Sequence, residues 1–321
     1  MKAFTQSRGR PAWYKPDTGL AARMVLTMFL LGAVYVIFGA VLFKIGVSLV
    51  FLILIAVVIG FVQLFFADKI ALGSMGAKEV SEEEAPDLHS MIGRLAAAAD
   101  LPKPKIAIVN SSIPNAFATG RDKDHAVIAI TTGIMNQLNP QELEAVVAHE
   151  LTHIVNRDML VMTIATFFSM VLALVLRNLF WIGIFGGFGG GGGGYGRGNR
   201  DNEGGGFALA ILASLVTYVL SFLLIRALSR YRELAADRGS ALITGAPSNL
   251  ASALLRISNS IEHARIPQQD FRQASAVNAL FIVPALRGDS LGNLFSTHPS
   301  IEERVRRLEE MQRQLEMTGH V

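Results

Sequence analysis

Two runs of twenty residues without a single charge, Met24–Phe43 and Val47–Phe66, constrain this chain more than any other feature. Only Lys44-Ile45-Gly46 separates them. At 1.5 Å per residue each would form a helix of ~30 Å, the thickness of a bilayer's hydrocarbon core, so the pair predicts a membrane hairpin. A third apolar tract covers Met159–Leu176 and continues to Phe185; a fourth covers Phe207–Ile225. The chain is 51% hydrophobic and only 17% charged, where soluble domains carry about a quarter. Buried helices of a large soluble core would share that composition, but not four tracts of membrane length. A cleaved signal peptide fits poorly, because the first tract starts late, is long, and is followed at once by a second span.

Lysine and arginine set the expected orientation. Lys2, Arg8, Arg10, Lys15 and Arg23 precede the first span and Arg226, Arg230 and Arg232 follow the fourth, whereas Lys44 alone marks the first turn. The positive-inside rule then keeps both termini in the cytoplasm, as an even number of spans requires. Arg177, Arg197 and Arg200 oppose it from the other side, diluted by Asp201 and Glu203. The glycine-dense loop 186–206 lacks the G-K-[ST] ending of a phosphate loop and reads as a solvated linker. The chain contains no cysteine, which excludes disulfides and thiolate ligands and suits a reducing compartment. No basic-aromatic surface of the nucleic-acid kind is visible.

The expected organisation is a polar extension (1–23), a transmembrane hairpin (24–66), a first polar segment (67–158), two further spans (159–226) and a second polar segment (227–321). Both polar segments face the same side under this topology and can build one domain. In the first, "SEEEAPD" (81–87) reads as a helix start, and "KIAIV" (105–109) and "HAVIAITTG" (125–133) read as strands.

The chemistry concentrates in "AVVAHELTHIVNRD" (145–158). Asn139-Pro140-Gln141-Glu142 predicts a well-capped helix start ahead of it. Residues four apart share a helix face, so the imidazoles of His149 and His153 can reach one cation. Glu150, offset around the helix, is poorly placed as a ligand of the same metal but can reach its water, which is the H-E-x-x-H arrangement. A catalytic zinc site usually has a third protein ligand. If the helix continues into the third span, His153 stands about 9 Å above Met159. The fourth span returns antiparallel, so Glu233 reaches a similar height and Asp237 follows one turn on. Glu233 is therefore the expected third ligand, and Asp237 the acceptor for a ligand's other ring N–H. The four remaining histidines, His89, His125, His263 and His320, read as surface residues.

"HELTH" followed about eighty residues later by "ELAAD", with two spans between, resembles the M48 peptidases, and more closely the HtpX-type membrane proteases. The likeness runs from about residue 24 to the C-terminal helix. It implies an α-helical membrane protein of four transmembrane helices with a cytoplasmic α+β zincin-like (gluzincin) catalytic domain built from two chain segments. One Zn2+ per chain would be held by His149, His153 and Glu233, with Glu150 as the catalytic glutamate. "NAFATG" (115–120) matches the substrate-facing stretch, where Asn115, Ala116 and Phe117 would hold an extended peptide. "THPSIEERVRRL" (297–308) matches the His-Pro helix start, with His298 near substrate and Arg304 on the helix. The implied substrates are polypeptides, above all misfolded or damaged membrane proteins cut in cytoplasmic segments, as part of quality control under stress. The implied location is the cell membrane; nothing in the pattern speaks to oligomeric state. The N-terminal extension, with Trp13 and Tyr14, and the glycine-rich loop depart from the bacterial pattern.

Three other readings compete. A site-2-type intramembrane protease would bury its motif within a span, but here the motif precedes one and no Asp or Glu lies within any of the four. The prenyl-protein branch of M48 would need about seven spans. A non-catalytic metal-binding scaffold or transporter would place ionisable groups mid-span, and would have no use for Glu150.

Overall fold

The computed structural model describes residues 18–44, 49–163, 170–173, 177, 200–263 and 299–318. The N-terminal extension up to residue 17, most of the third apolar tract, residues 186–199 of the glycine-dense loop and His298 lie outside the described residues, while 200–206, expected as part of that loop, are helical. The chain forms two compact units. One comprises 1–22, 66–161 and 229–321; the other comprises 23–65 and 162–228.

In the second unit the chain turns its large side chains outward. Helix α1 (Thr18–Lys44) exposes Val25, Phe29 and Val36, each about 70% accessible, and buries Leu31, Phe38 and Leu42. Phe38 and Leu42 pack against Leu172. Helix α2 (Leu49–Ser74) has exposed Val50, Ile53, Leu54, Val57 and Val58 along it. Among the described residues, two helical stretches are long and apolar enough to cross a bilayer, Ala21–Lys44 and Ala208–Thr244, each with a mean hydropathy of 2.5. The second belongs to helix α6 (Arg200–Thr244), which runs unbroken for 45 residues.

The first unit is built around a four-stranded mixed sheet in the order β1 (Lys78–Glu79), β2 (Lys105–Val109), β4 (Val127–Thr131), β3 (Ala116–Thr119). β2 and β4 are parallel, and the two outer strands run antiparallel to their neighbours. Alternation divides the strand residues between two apolar layers. Ile106, Ala116, Ile128 and Ile130 join the main core with α3 (Pro86–Ala98), while Ala107, Val109, Phe117, Val127 and Ala129 pack with Met75 on the opposite face.

Local differences from the sequence reading have local causes. Only Pro86 and Asp87 of the stretch 81–87 start α3; the glutamates precede it in a turn where the Ser81 N–H donates to Glu84 at 2.7 Å. The second strand is shorter than 125–133. At its start Asp122 accepts the Asp124 and His125 N–H groups and closes a 3-10 turn; at its end Thr131 caps α4 (Thr132–Gln137).

Helix α5 (Pro140–Asn156) carries the H-E-x-x-H residues and begins with the expected capping box: Asn139 and Glu142 each accept the other's backbone N–H. Its face is fixed by packing on β3 and β4. The last turns of α6 lie so close to α5 that a Cβ at Gly239 would overlap the Thr152 side chain. One residue on, Ser240 Oγ donates to the Ala145 carbonyl at 2.7 Å. Helices α7 (Pro247–His263) and α8 (Ile301–Thr318) complete the unit, with Leu254, Ile257, Ile301 and Leu308 in the same core.

Candidate active site

Helix α5 points three side chains into one buried place. His149 and His153 are 1% and 8% accessible, and Glu150 is 5% accessible. From α6 come Glu233 and, one turn later, Asp237, both buried. Ligand atoms of His149, His153 and Glu233 lie within 4.8 Å of one another, forming the one group of this kind among the described residues. His89 donates to or accepts nothing there; its Nε2 meets the Val80 carbonyl. His125 is exposed against Asp122.

A carboxylate stands behind each ring. His153 Nδ1 lies 2.7 Å from Asp158 Oδ2. A carboxylate only accepts, so the proton sits on Nδ1 and the lone pair on Nε2. His149 Nδ1 faces Asp237 Oδ1 at 3.0 Å. The two Nε2 atoms are thereby brought 3.2 Å apart, and each lies 3.6 Å from one oxygen of Glu233. Two imidazole lone pairs so close repel unless a cation or a proton stands between them. Donor atoms 2.0–2.1 Å from a tetrahedral zinc would be about 3.3 Å apart, so the spacing suits such an ion. Charge agrees: the carboxylates of Glu150, Glu233, Asp237 and Asp158 outnumber the guanidiniums of Arg304 and Arg232 by two, which one divalent cation would balance.

Arg304, expected only as a residue on the C-terminal helix, enters the site itself. Carried by α8, its side chain is 1% accessible. It clasps Asp237 with two bonds, Nε to Oδ2 at 2.9 Å and Nη2 to Oδ1 at 2.6 Å, and holds Glu233 Oε2 at 3.4 Å. This is the bidentate geometry for which arginine is suited and lysine is not. Burial raises the Asp237 carboxyl, but Arg304 and His149 outweigh it and hold it below the ordinary range. Burial pulls His149 down, yet Asp237 and Glu233 push it up to about 9, so without a metal this site holds a proton. Burial raises the Glu150 carboxyl, with the two histidines pulling the other way.

Glu150 also ties the helix to the sheet edge, its Oε2 accepting the Ala118 N–H at 2.9 Å. The Asn115 carbonyl accepts the Thr131 N–H at 2.9 Å, so alternate residues of β3 turn their main chain toward β4. Ala116 and Ala118 turn theirs away from β4, Ala116 completely buried and Ala118 half-buried. The Asn115 main chain is engaged with Thr131 on both groups, and its side chain is fully buried. Phe117 has its ring in the second apolar layer.

Three residues of this site escape sequence reasoning. Asp158 lies in a stretch that reads as a polar spacer, and Arg232 as a marker of membrane orientation. Ala118 falls inside the expected substrate-facing stretch, but its side chain does not announce the bond to Glu150. Arg304 was named, but not its carboxylate partners, for which there was a signal: it stands between Ile301 and Leu308 on the apolar stripe of an otherwise charged helix, where a cation needs a buried partner.

A histidine pair on one helix, a glutamate between them in sequence and a carboxylate from a second helix define a metal-dependent peptidase of the H-E-x-x-H class. Comparison with known proteins gives the family. Residues 82–312 match the model of peptidase family M48. The chain is 55% identical to a protease HtpX homolog of Moorella thermoacetica over 94% of its own length and 97% of the relative's. It is 52% identical to protease HtpX homolog 2 of Methanosarcina mazei over 94% and 98% of the two chains. In Streptomyces coelicolor, protease HtpX homolog 1 is 45% identical over 92% and 93%. The chain belongs to peptidase family M48, and it is a membrane-bound metalloprotease. Its fold is similar to that of S. mikatae Ste24p in a crystal structure, with a TM-score of 0.53 over 91% of this chain and 67% of that one, at 20% identity.

Proposed function

We propose a zinc endopeptidase that cuts peptide bonds in cytoplasmic segments of misfolded or damaged membrane proteins. It would span the membrane four times, with both termini and a two-segment catalytic domain (67–158 and 227–321) in the cytoplasm. The observation that carries the reading is the convergence of two Nε2 atoms and the Glu233 carboxylate beside Glu150. His149, His153 and Glu233 would hold one zinc, and Asp237 orients His149. Zinc bound there supplies a Lewis acid for the scissile carbonyl and lowers the pKa of water towards ~7.

The remaining chemistry belongs to the chain. Glu150 accepts the proton of the attacking water and returns it to the leaving amine nitrogen. Its burial favours this role by raising the carboxyl above the ordinary range. An extended peptide adds along the outer side of β3 at Ala118, whose half-buried main chain supplies hydrogen bonds largely independent of substrate sequence. The Ala118 N–H then passes from Glu150 to the substrate, freeing the carboxylate at the moment it is needed. Asn115 supports β3 from within; His298, outside the described residues, would contact bound substrate. Broad recognition of main chain suits a protease of unfolded segments.

Glu150→Gln tests the assignment. In detergent, wild type and variant should each bind about one zinc per chain, and only wild type should cleave an unfolded test protein, in a chelator-sensitive way. Zinc in both with cleavage in neither would favour a metal-binding scaffold.

A further inference from the structure

His149 has its carboxylate and arginine, Asp237 and Arg304; a matching pair stands behind His153. Helix α5 ends at Asn156, and Arg157 takes the left-handed conformation (φ 57°, ψ 35°) as it closes the helix onto the His153 and Ile154 carbonyls. That conformation is costly for any residue with a Cβ. It turns the chain so that Asp158 comes back under its own helix, where it is completely buried. Asp158 Oδ2 meets His153 Nδ1 at 2.7 Å and Arg232 Nε at 3.5 Å. Arg232 is the residue before Glu233. One turn of α6 thus supplies a ligand to one side and a cation to the carboxylate behind another ligand.

We propose that Asp158, with its charge balanced by Arg232, is the positioning residue for His153. It fixes the ring, keeps the proton on Nδ1 and raises the donor strength of Nε2. Because Asp158 and Arg232 lie on different chain segments, the pair makes the His153 site depend on the seating of α6. The inference rests on the reading of His149, His153 and Glu233 as the metal ligands.

Three observations favour this over a purely structural role. The short contact is to the ring nitrogen opposite the ligand atom, not to a helix-end N–H. Asp158 is fully buried in spite of its charge, which is tolerated only with close partners. The same histidine–carboxylate–arginine arrangement recurs at His149 through residues of other elements.

The test uses full-length, detergent-solubilised protein and metal binding itself. Zinc affinity is measured by chelator competition, and the Co(II)-loaded protein by its visible absorption. Asp158→Asn keeps the shape and an acceptor for Nδ1–H but removes the charge. Its zinc affinity should fall about 10- to 100-fold with an altered Co(II) spectrum, the usual cost of losing such a partner. Arg232→Gln should fall less, and the double variant should be no worse than Asp158→Asn, since both act through one carboxylate. Wild-type affinity and spectrum in Asp158→Asn would overturn the proposal, as would a lower melting temperature with unchanged metal binding. Should Asp158→Asn fail to fold, Arg232→Gln decides by itself, an unchanged affinity contradicting the clamp. His153→Ala separates the two levels. If it still binds zinc at native stoichiometry, the ligand reading fails; if it loses zinc while Asp158→Asn does not, only the positioning role fails.

Discussion

Helix α6 obeys two opposite rules along its length. Between residues 208 and 223 it turns Leu209, Leu212, Leu215, Val216, Val219 and Leu223 outward and buries Ala210, Ser214, Thr217 and Ser221. Between 229 and 240 it buries Ser229, Glu233, Ala236, Asp237 and Ser240. Lipid explains the first stretch. Burying a leucine gains little when the solvent is itself hydrocarbon, so helices there meet through small residues that allow close packing. In the second stretch small residues serve the same close approach, with Gly239 against Thr152. Carboxylates now fill the spaces between them, and each needs a partner from another element. The first rule depends on the solvent around the helix; the second depends on particular side chains elsewhere.

The comparison breaks most sharply at Arg304. Arg304→Met leaves the carboxylates of Asp237 and Glu233 without their buried cation, and loss of one partner from such a pair costs about 3–5 kcal/mol. Chemical denaturation of the metal-free protein should show that loss, and an unchanged midpoint would mean the pair is not buried. On the lipid-facing stretch, Leu215→Asp should weaken membrane insertion by about 2.5–3.5 kcal/mol at a span centre, read as the fraction of chains resisting alkaline extraction, while Leu215→Val should change little. Full insertion of the aspartate variant would contradict a lipid environment there. The smallest effect of the three is expected at Gly239→Ala, where overpacking against Thr152 should cost about 1–3 kcal/mol and lower zinc affinity by shifting Glu233. Lost stability with intact affinity would show that α6 can retreat without moving its ligand.

The parts of the molecule legible in the sequence are those with a period or a local rule. The apolar tracts, the Asn139–Glu142 capping box and the shared face of His149 and His153 follow from spacing alone. Glu233 and Asp237 could be placed by counting rise along α6, which is uninterrupted, although the companion expectation fails: α5 ends at Asn156 and does not run on into the third tract. Asp158 could not, because its position depends on Arg157 adopting φ 57°, and no glycine announces that turn. Arg232 looked like one more cation flanking a span; only the packing of α6 against α5 gives it Asp158. The turn of the Ala118 main chain towards Glu150 likewise depends on which residue of β3 pairs first with β4.

X-ray absorption at the zinc edge of the loaded wild type, compared with His153→Ala and Glu233→Ala, tests the central claim most directly. The account predicts a first shell of two imidazole nitrogens with oxygen donors at about 2.0–2.1 Å, reduced to one imidazole in His153→Ala and disrupted in Glu233→Ala. A wild-type shell that survives either substitution unchanged would contradict it.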